Sequence, residues 1–204
     1  MTLIFAMCSF ALSMSISPGP VNLVTLSSGI NHGFLRTLPF VAGASIGFSL
    51  LLFLLGIALS LGLEVLPNML VMGLQIAGAV FIAYMGFSLF RSASKEIELD
   101  THKANQSAPG FAKGFLLQWL NPKAWIACLS GITAFNVTQS LTLLVVFTSL
   151  YLLICFVSIG CWAALGHKLQ GLLNNPQYLK RFNQTMGISL MLLAGYLIVS
   201  LNNF

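Results

Sequence analysis

Between Leu3 and Ile30 the chain is apolar enough for one straight helix, yet Ser17-Pro18-Gly19-Pro20-Val21-Asn22 falls in the middle of it. Pro18 and Pro20 each lack a backbone N–H, and Gly19 lacks a Cβ. The helix must therefore break here or leave carbonyls unpaired. In water such a break is an ordinary loop. In a bilayer, irregular backbone survives only where protein buries it or where it lines a wet cavity. The solvent around the segment decides what the break means.

Composition identifies that solvent. Of the 204 residues, 57% are hydrophobic and 6% are charged, where a soluble domain carries about a quarter charged. The chain reads as an all-α integral membrane protein. Its formal charge of +5 is no sign of a nucleic-acid partner, because the basic residues sit at segment ends rather than in a patch. Cys8, Cys128, Cys155 and Cys161 all lie in apolar segments without a Cys-x-x-Cys pair, and they read as small packing residues. No basic stretch precedes the first apolar run, so a membrane segment is expected there rather than a removable signal peptide.

Absences narrow the function classes. No Asp or Glu lies inside an apolar segment, and Glu64 sits at a loop. A carrier of hard metal ions, which needs oxygen ligands, is disfavoured, and a carboxylate proton relay is unsupported. The sequence holds no nucleotide-binding loop, Ser–His–Asp set or metal-ligand cluster, so neither an enzyme nor a cofactor is expected.

Six apolar segments can be drawn: Leu3–Ile30, about Leu38–Leu63, about Asn68–Phe90, Phe111–Phe135, about Leu141–Leu165 and about Met186–Leu201. Most hold about 20 residues or more, enough to cross a hydrocarbon core of about 30 Å. The first is broken at the prolines and the fourth at Asn121-Pro122-Lys123. Arg36, Arg91, Lys95, Lys103, Lys113, Lys168, Lys180 and Arg181 all fall on alternate connections, whereas the loops at Glu64-Val65-Leu66-Pro67 and Asn136-Val137-Thr138 carry no Lys or Arg. The positive-inside rule places the basic connections in the cytoplasm and both termini outside.

The layout also repeats. Residues 1–92 and 111–204 each hold one broken segment followed by two unbroken ones, joined by a polar cytoplasmic linker at 93–110. Three spans per half inverts the second half, giving a 3+3 inverted repeat in a single membrane domain. Interruptions at corresponding positions of two such halves point to a transporter's binding site. Pro18 and Pro122 are accordingly expected to approach each other near the midplane.

The candidate binding residues are Ser17, Pro18, Gly19, Pro20 and Asn22 at the first break, with Gln118, Asn121, Pro122 and Lys123 at the second. Ser17 is expected to cap the half-helix after the break, with Pro20 in its first turn. The exposed N–H groups and dipole of that helix end attract a carboxylate. Lys113 stands at the edge of the fourth segment, and Lys123 is the one basic residue within a segment's interior. A lysine there marks function by default, although a site about a dozen residues, roughly 18 Å of helix, from the segment start also allows snorkelling. Functionally, its cation attracts an anionic or zwitterionic substrate, or holds carbonyls of the other break. Trp119, Trp125, Tyr84 and Trp162 suit an interfacial belt as well as a cavity wall. His32 and His167 read as loop caps, and Gly43, Gly47, Gly73, Gly78 and Gly86 as close helix packing.

Ser17-Pro18-Gly19-Pro20 with Asn22-Leu23, then Ser27-Ser28, His32-Gly33-Phe34 and Ala42-Gly43-x-x-x-Gly47-Phe48, resembles the LysE/RhtB family of amino-acid exporters. Gln118-x-x-Asn121-Pro122-Lys123-Ala124 is similar to that family's second signature. Many members carry Asp or Asn directly after the Pro-Gly-Pro, where this chain has Val21; Asn22 puts its amide about 100° further round a helix. The resemblance implies proton-driven export of small neutral amino acids or derivatives, of the cysteine/O-acetylserine or homoserine/threonine kind, across the inner membrane. The partners it implies are that substrate and the lipid bilayer, with a homodimer left open. Two alternatives stand beside it: a thiol–disulfide electron carrier of the related inverted-repeat plan, and a partner subunit that transports nothing.

Overall fold

A computed structural model describes residues 2–62, 68–92, 108–170 and 176–201. All but the last three residues of the 93–110 linker lie outside this set, as does the whole Glu64–Pro67 loop. Among the described residues all the regular structure is helical: α1 (Thr2–Ile16), α2 (Pro20–His32), α3 (Phe34–Ser60), α4 (Asn68–Ser92), α5 (Phe111–Trp119), α6 (Pro122–Ala134), α7 (Leu141–Gln170) and α8 (Pro176–Leu201), with a single 3-10 turn at Val137–Gln139. At 1.5 Å per residue, the 27 residues of α3 and the 30 of α7 reach about 40 and 45 Å, longer than a hydrocarbon core. The axes of α1 and α2 differ by 62° across residues 17–19.

Three helices begin or end beyond the apolar runs. α3 starts at Phe34 rather than near Leu38, so Arg36 occupies its first turn instead of a loop. Gly33 makes this early start work: at φ 84° it turns the chain straight from α2 into α3, and its N–H closes α2 on Gly29 O at 3.0 Å. α7 continues to Gln170, and α8 begins at Pro176, ten residues ahead of the apolar stretch at Met186. Lys180, Arg181 and Gln184 end the hydropathy signal without ending the helix. Asn183, in the same turns, is buried against α2.

Close helix contacts rest on glycines in reciprocal pairs. A Cβ on Gly43 of α3 would overlap the Phe111 carbonyl of α5, and one on Gly114 of α5 would overlap the Phe40 carbonyl of α3. Gly29 and Gly166 stand in the same relation between α2 and α7, as do Gly86 and Gly187 between α4 and α8. Small residues let backbones approach where no hydrophobic effect drives helices together in lipid. The interior is apolar, with Phe40, Leu51, Leu52, Phe147 and Tyr151 fully buried, while Phe5, Leu54, Val157, Leu192 and Tyr196 face outward. An apolar outside over an apolar inside is what a bilayer-embedded bundle requires.

Candidate functional site

The first break leaves the last carbonyls of α1 without N–H partners from the helix. Side chains reach three of them, and Ser17 O beyond them. Ser17 Oγ donates to Met14 O at 3.0 Å, and Trp162 Nε1 of α7 donates to Ile16 O at 3.0 Å. Asn22 Nδ2 reaches back from α2 to Ser15 O at 2.8 Å and Ser17 O at 2.9 Å. Asn22 is only 4% exposed, so its amide replaces water that is not there. Residue 19 is the N-cap of α2, in extended conformation (φ −170°, ψ 176°), with Pro20 behind it in the first turn.

This corrects the expected role of Ser17. Two further residues of extended chain separate it from α2, so its hydroxyl serves α1 and the other break, and α2 has no side-chain cap. The N–H groups of Val21 and Asn22 belong to the uncapped first turn, where an anion is favoured.

The second break is closed in a parallel way. Asn121 Oδ1 accepts from Lys123 N–H at 3.1 Å and so caps α6, with Pro122 at its first position. Trp125 Nε1 donates to Trp119 O at the end of α5, 2.7 Å away. Asn121 Nδ2 is spent on Gln118 Oε1 at 3.4 Å. Asn121 is thus a structural cap first, and Gln118 is the polar group beside it that keeps an acceptor lone pair. Both are buried.

The two breaks meet. Lys123 Nζ donates to Ser17 Oγ at 2.7 Å, Ser17 O at 3.0 Å and Pro18 O at 3.3 Å. Its head therefore turns inward to the first break. A Cβ on Gly19 would meet this side chain at 3.4 Å, an ordinary van der Waals contact, so the lysine packs directly against residue 19. All four acidic residues lie outside the described residues, and among those described no carboxylate offsets the Lys123 charge. Three oxygen dipoles solvate the ammonium without neutralising it.

Beside this junction lies a cavity of about 40 Å³, room for about three water molecules at about 10–15 Å³ each. Gly19, Asn22, Gln118, Asn121 and Lys123 line it, together with Val21. Ser17, Pro18, Pro20 and Pro122 shape the breaks but do not line it. Ser15 and, on α3 and α7, Phe48, Tyr151 and Cys155 also line it, with Met14, Ala124, Ala127 and Ile159 completing the wall; none was singled out as a site residue by the sequence. Within apolar segments an aromatic or a cysteine carries no signal of its own; Ser15, two residues before Ser17, was the legible one. All four cysteines are free.

Helices of this length and apolarity, broken beside a partly open cavity with polar residues in its wall, define a multi-pass membrane protein. The chain belongs to the LysE type translocator family, whose model matches residues 12–201. It is 31% identical over 195 residues to the cysteine/O-acetylserine efflux protein of Escherichia coli O1:K1 / APEC, covering 95% of this chain and 96% of that protein. The protein of the same description from Escherichia coli strain K12 is 32% identical over 196 residues, with the same coverage. No solved structure matches the chain.

Proposed function

We propose that the protein is a secondary exporter of small neutral amino acids or their derivatives across the bacterial inner membrane, driven by the proton gradient. In this reading α1–α2, α3 and α4 form one three-span repeat (1–92), and α5–α6, α7 and α8 form its inverted counterpart (111–204). The basic connections, with the 93–110 linker, face the cytoplasm, and both termini lie outside. The substrate's carboxylate takes the N-terminal turn of α2 and the charge of Lys123, and its amino group takes the free lone pair of Gln118. Cysteine- and O-acetylserine-sized compounds are the proposed cargo, in keeping with the efflux proteins this chain is similar to.

The observation that carries the proposal is the junction of the breaks, where a cation with no carboxylate partner among the described residues borders a small, partly open cavity at an uncapped helix N-terminus. Such a place suits an anionic group that arrives and leaves. The test is export from preloaded proteoliposomes across a panel of labelled amino acids, with the proton gradient imposed and then collapsed. Gradient-dependent efflux of short neutral amino acids is expected. Absence of efflux for the whole panel would contradict the reading and favour a subunit that transports nothing.

A further inference from the structure

The wall of the cavity away from Lys123 has its own chemistry. Phe48 and Tyr151 stack across it with ring centroids 4.3 Å apart and planes 25° from parallel. Tyr151 is 1% exposed and is held edge-on by Phe147 at 5.7 Å and by Phe10 at 6.4 Å. A ring fixed on both sides cannot swing away to admit a longer group. Ser15 lines the same cavity, and its buried hydroxyl, which lies near the Tyr151 hydroxyl and the Cys155 thiol, makes no hydrogen bond of its own. Its backbone carbonyl is already taken by Asn22, so the free Oγ is the part of Ser15 left for a ligand. An unpaired buried hydroxyl is disfavoured unless something completes it.

Resting on the transport reading above, we infer that this wall selects the substrate's side chain. The Phe48–Tyr151 stack sets its maximum length, and Ser15 Oγ bonds a hydroxyl or thiol at its tip. Carboxylate recognition and side-chain recognition thus sit at opposite ends of one cavity, and the second is built from residues outside both proline motifs. A short side chain ending in a polar atom satisfies both parts of the wall. A short apolar one satisfies only the first, and a branched aliphatic one satisfies neither.

Proteoliposome export of L-serine, L-alanine and L-leucine tests this. Ser15→Ala is expected to lower the serine-to-alanine export ratio about tenfold, the worth of one well-made hydrogen bond. Phe48→Ala is expected to raise the leucine-to-serine ratio at least tenfold, with Phe48→Leu moving it the same way by less. Ratios that stay at wild-type values in Ser15→Ala and in either Phe48 variant would overturn the inference while leaving the transport reading standing. Wild-type vesicles that export none of the three would overturn the transport reading itself, and this assignment with it.

Discussion

Lys123 Nζ donates to Ser17 Oγ at 2.7 Å across 106 positions of sequence, joining the two broken segments through one side chain. The same ammonium holds Ser17 O and Pro18 O, so all three of its protons are used on a stretch of backbone that prolines have stripped of N–H donors. Lys123→Met keeps most of the stem and removes the charge and every one of these bonds. Export is expected to fall at least tenfold in that variant at normal membrane levels. Ser17→Ala leaves two carbonyl acceptors in place and is expected to retain more than half. Equal losses in the two variants would show that the hydroxyl, rather than the charge, is what matters.

Asn22 carries a different load. Its Nδ2 satisfies two carbonyls freed by the break, and nothing else reaches Ser15 O among the described residues. Asn22→Ala is expected to destabilise the protein by about 1–3 kcal/mol, the cost of a buried polar group left unpaired. Asn22→Asp should be worse, because a carboxylate would face two carbonyl oxygens with no proton to offer. Thermal melting in detergent checks the order.

The glycine pairs offer a controlled comparison. Gly43→Ala drives a methyl into the Phe111 carbonyl, a contact of backbone on backbone that no side chain can yield to. A loss of about 1–3 kcal/mol is expected. Gly160→Ala on α7 meets nothing within 4 Å and should gain about 0.5–1 kcal/mol from helix propensity. Melting curves of the two variants side by side separate packing from helix propensity.

Away from the cavity, Asn31 and Asn183 join α2 to α8 by two amide bonds, each 3.1 Å and running in opposite directions. Ser27 adds a third contact at 3.3 Å. A double-mutant cycle of Asn31→Ala and Asn183→Ala should give a coupling of about 0.6–1.7 kcal/mol, the range for interhelical hydrogen bonds in membranes. A coupling of zero would mean that the pair is incidental to the α2–α8 contact.

Both breaks were legible in the sequence because proline and glycine act on their own backbone, and the spacing Gly43-x-x-x-Gly47 announced a close approach that falls on α5. What was illegible depends on partners more than a hundred residues away. Nothing near Trp162 says that it will bond the last turn of α1, and Tyr151 reads as one more aromatic in an apolar run. Ser17 was assigned to the wrong helix because capping rules assume a helix that starts at once, whereas extended chain intervenes here. The start of α8 was misplaced for a similar reason, since hydropathy sees charge and overlooks the buried amide of Asn183.

In the proposed mechanism the junction of the breaks holds a carboxylate. Binding of L-cysteine and of cysteamine, its analogue without the carboxylate, to the purified protein under reducing conditions tests this most directly by titration calorimetry. Saturable binding of cysteine is expected, at least tenfold tighter than cysteamine, with loss of that preference in Lys123→Met. Equal binding of the two compounds by the wild-type protein would contradict it.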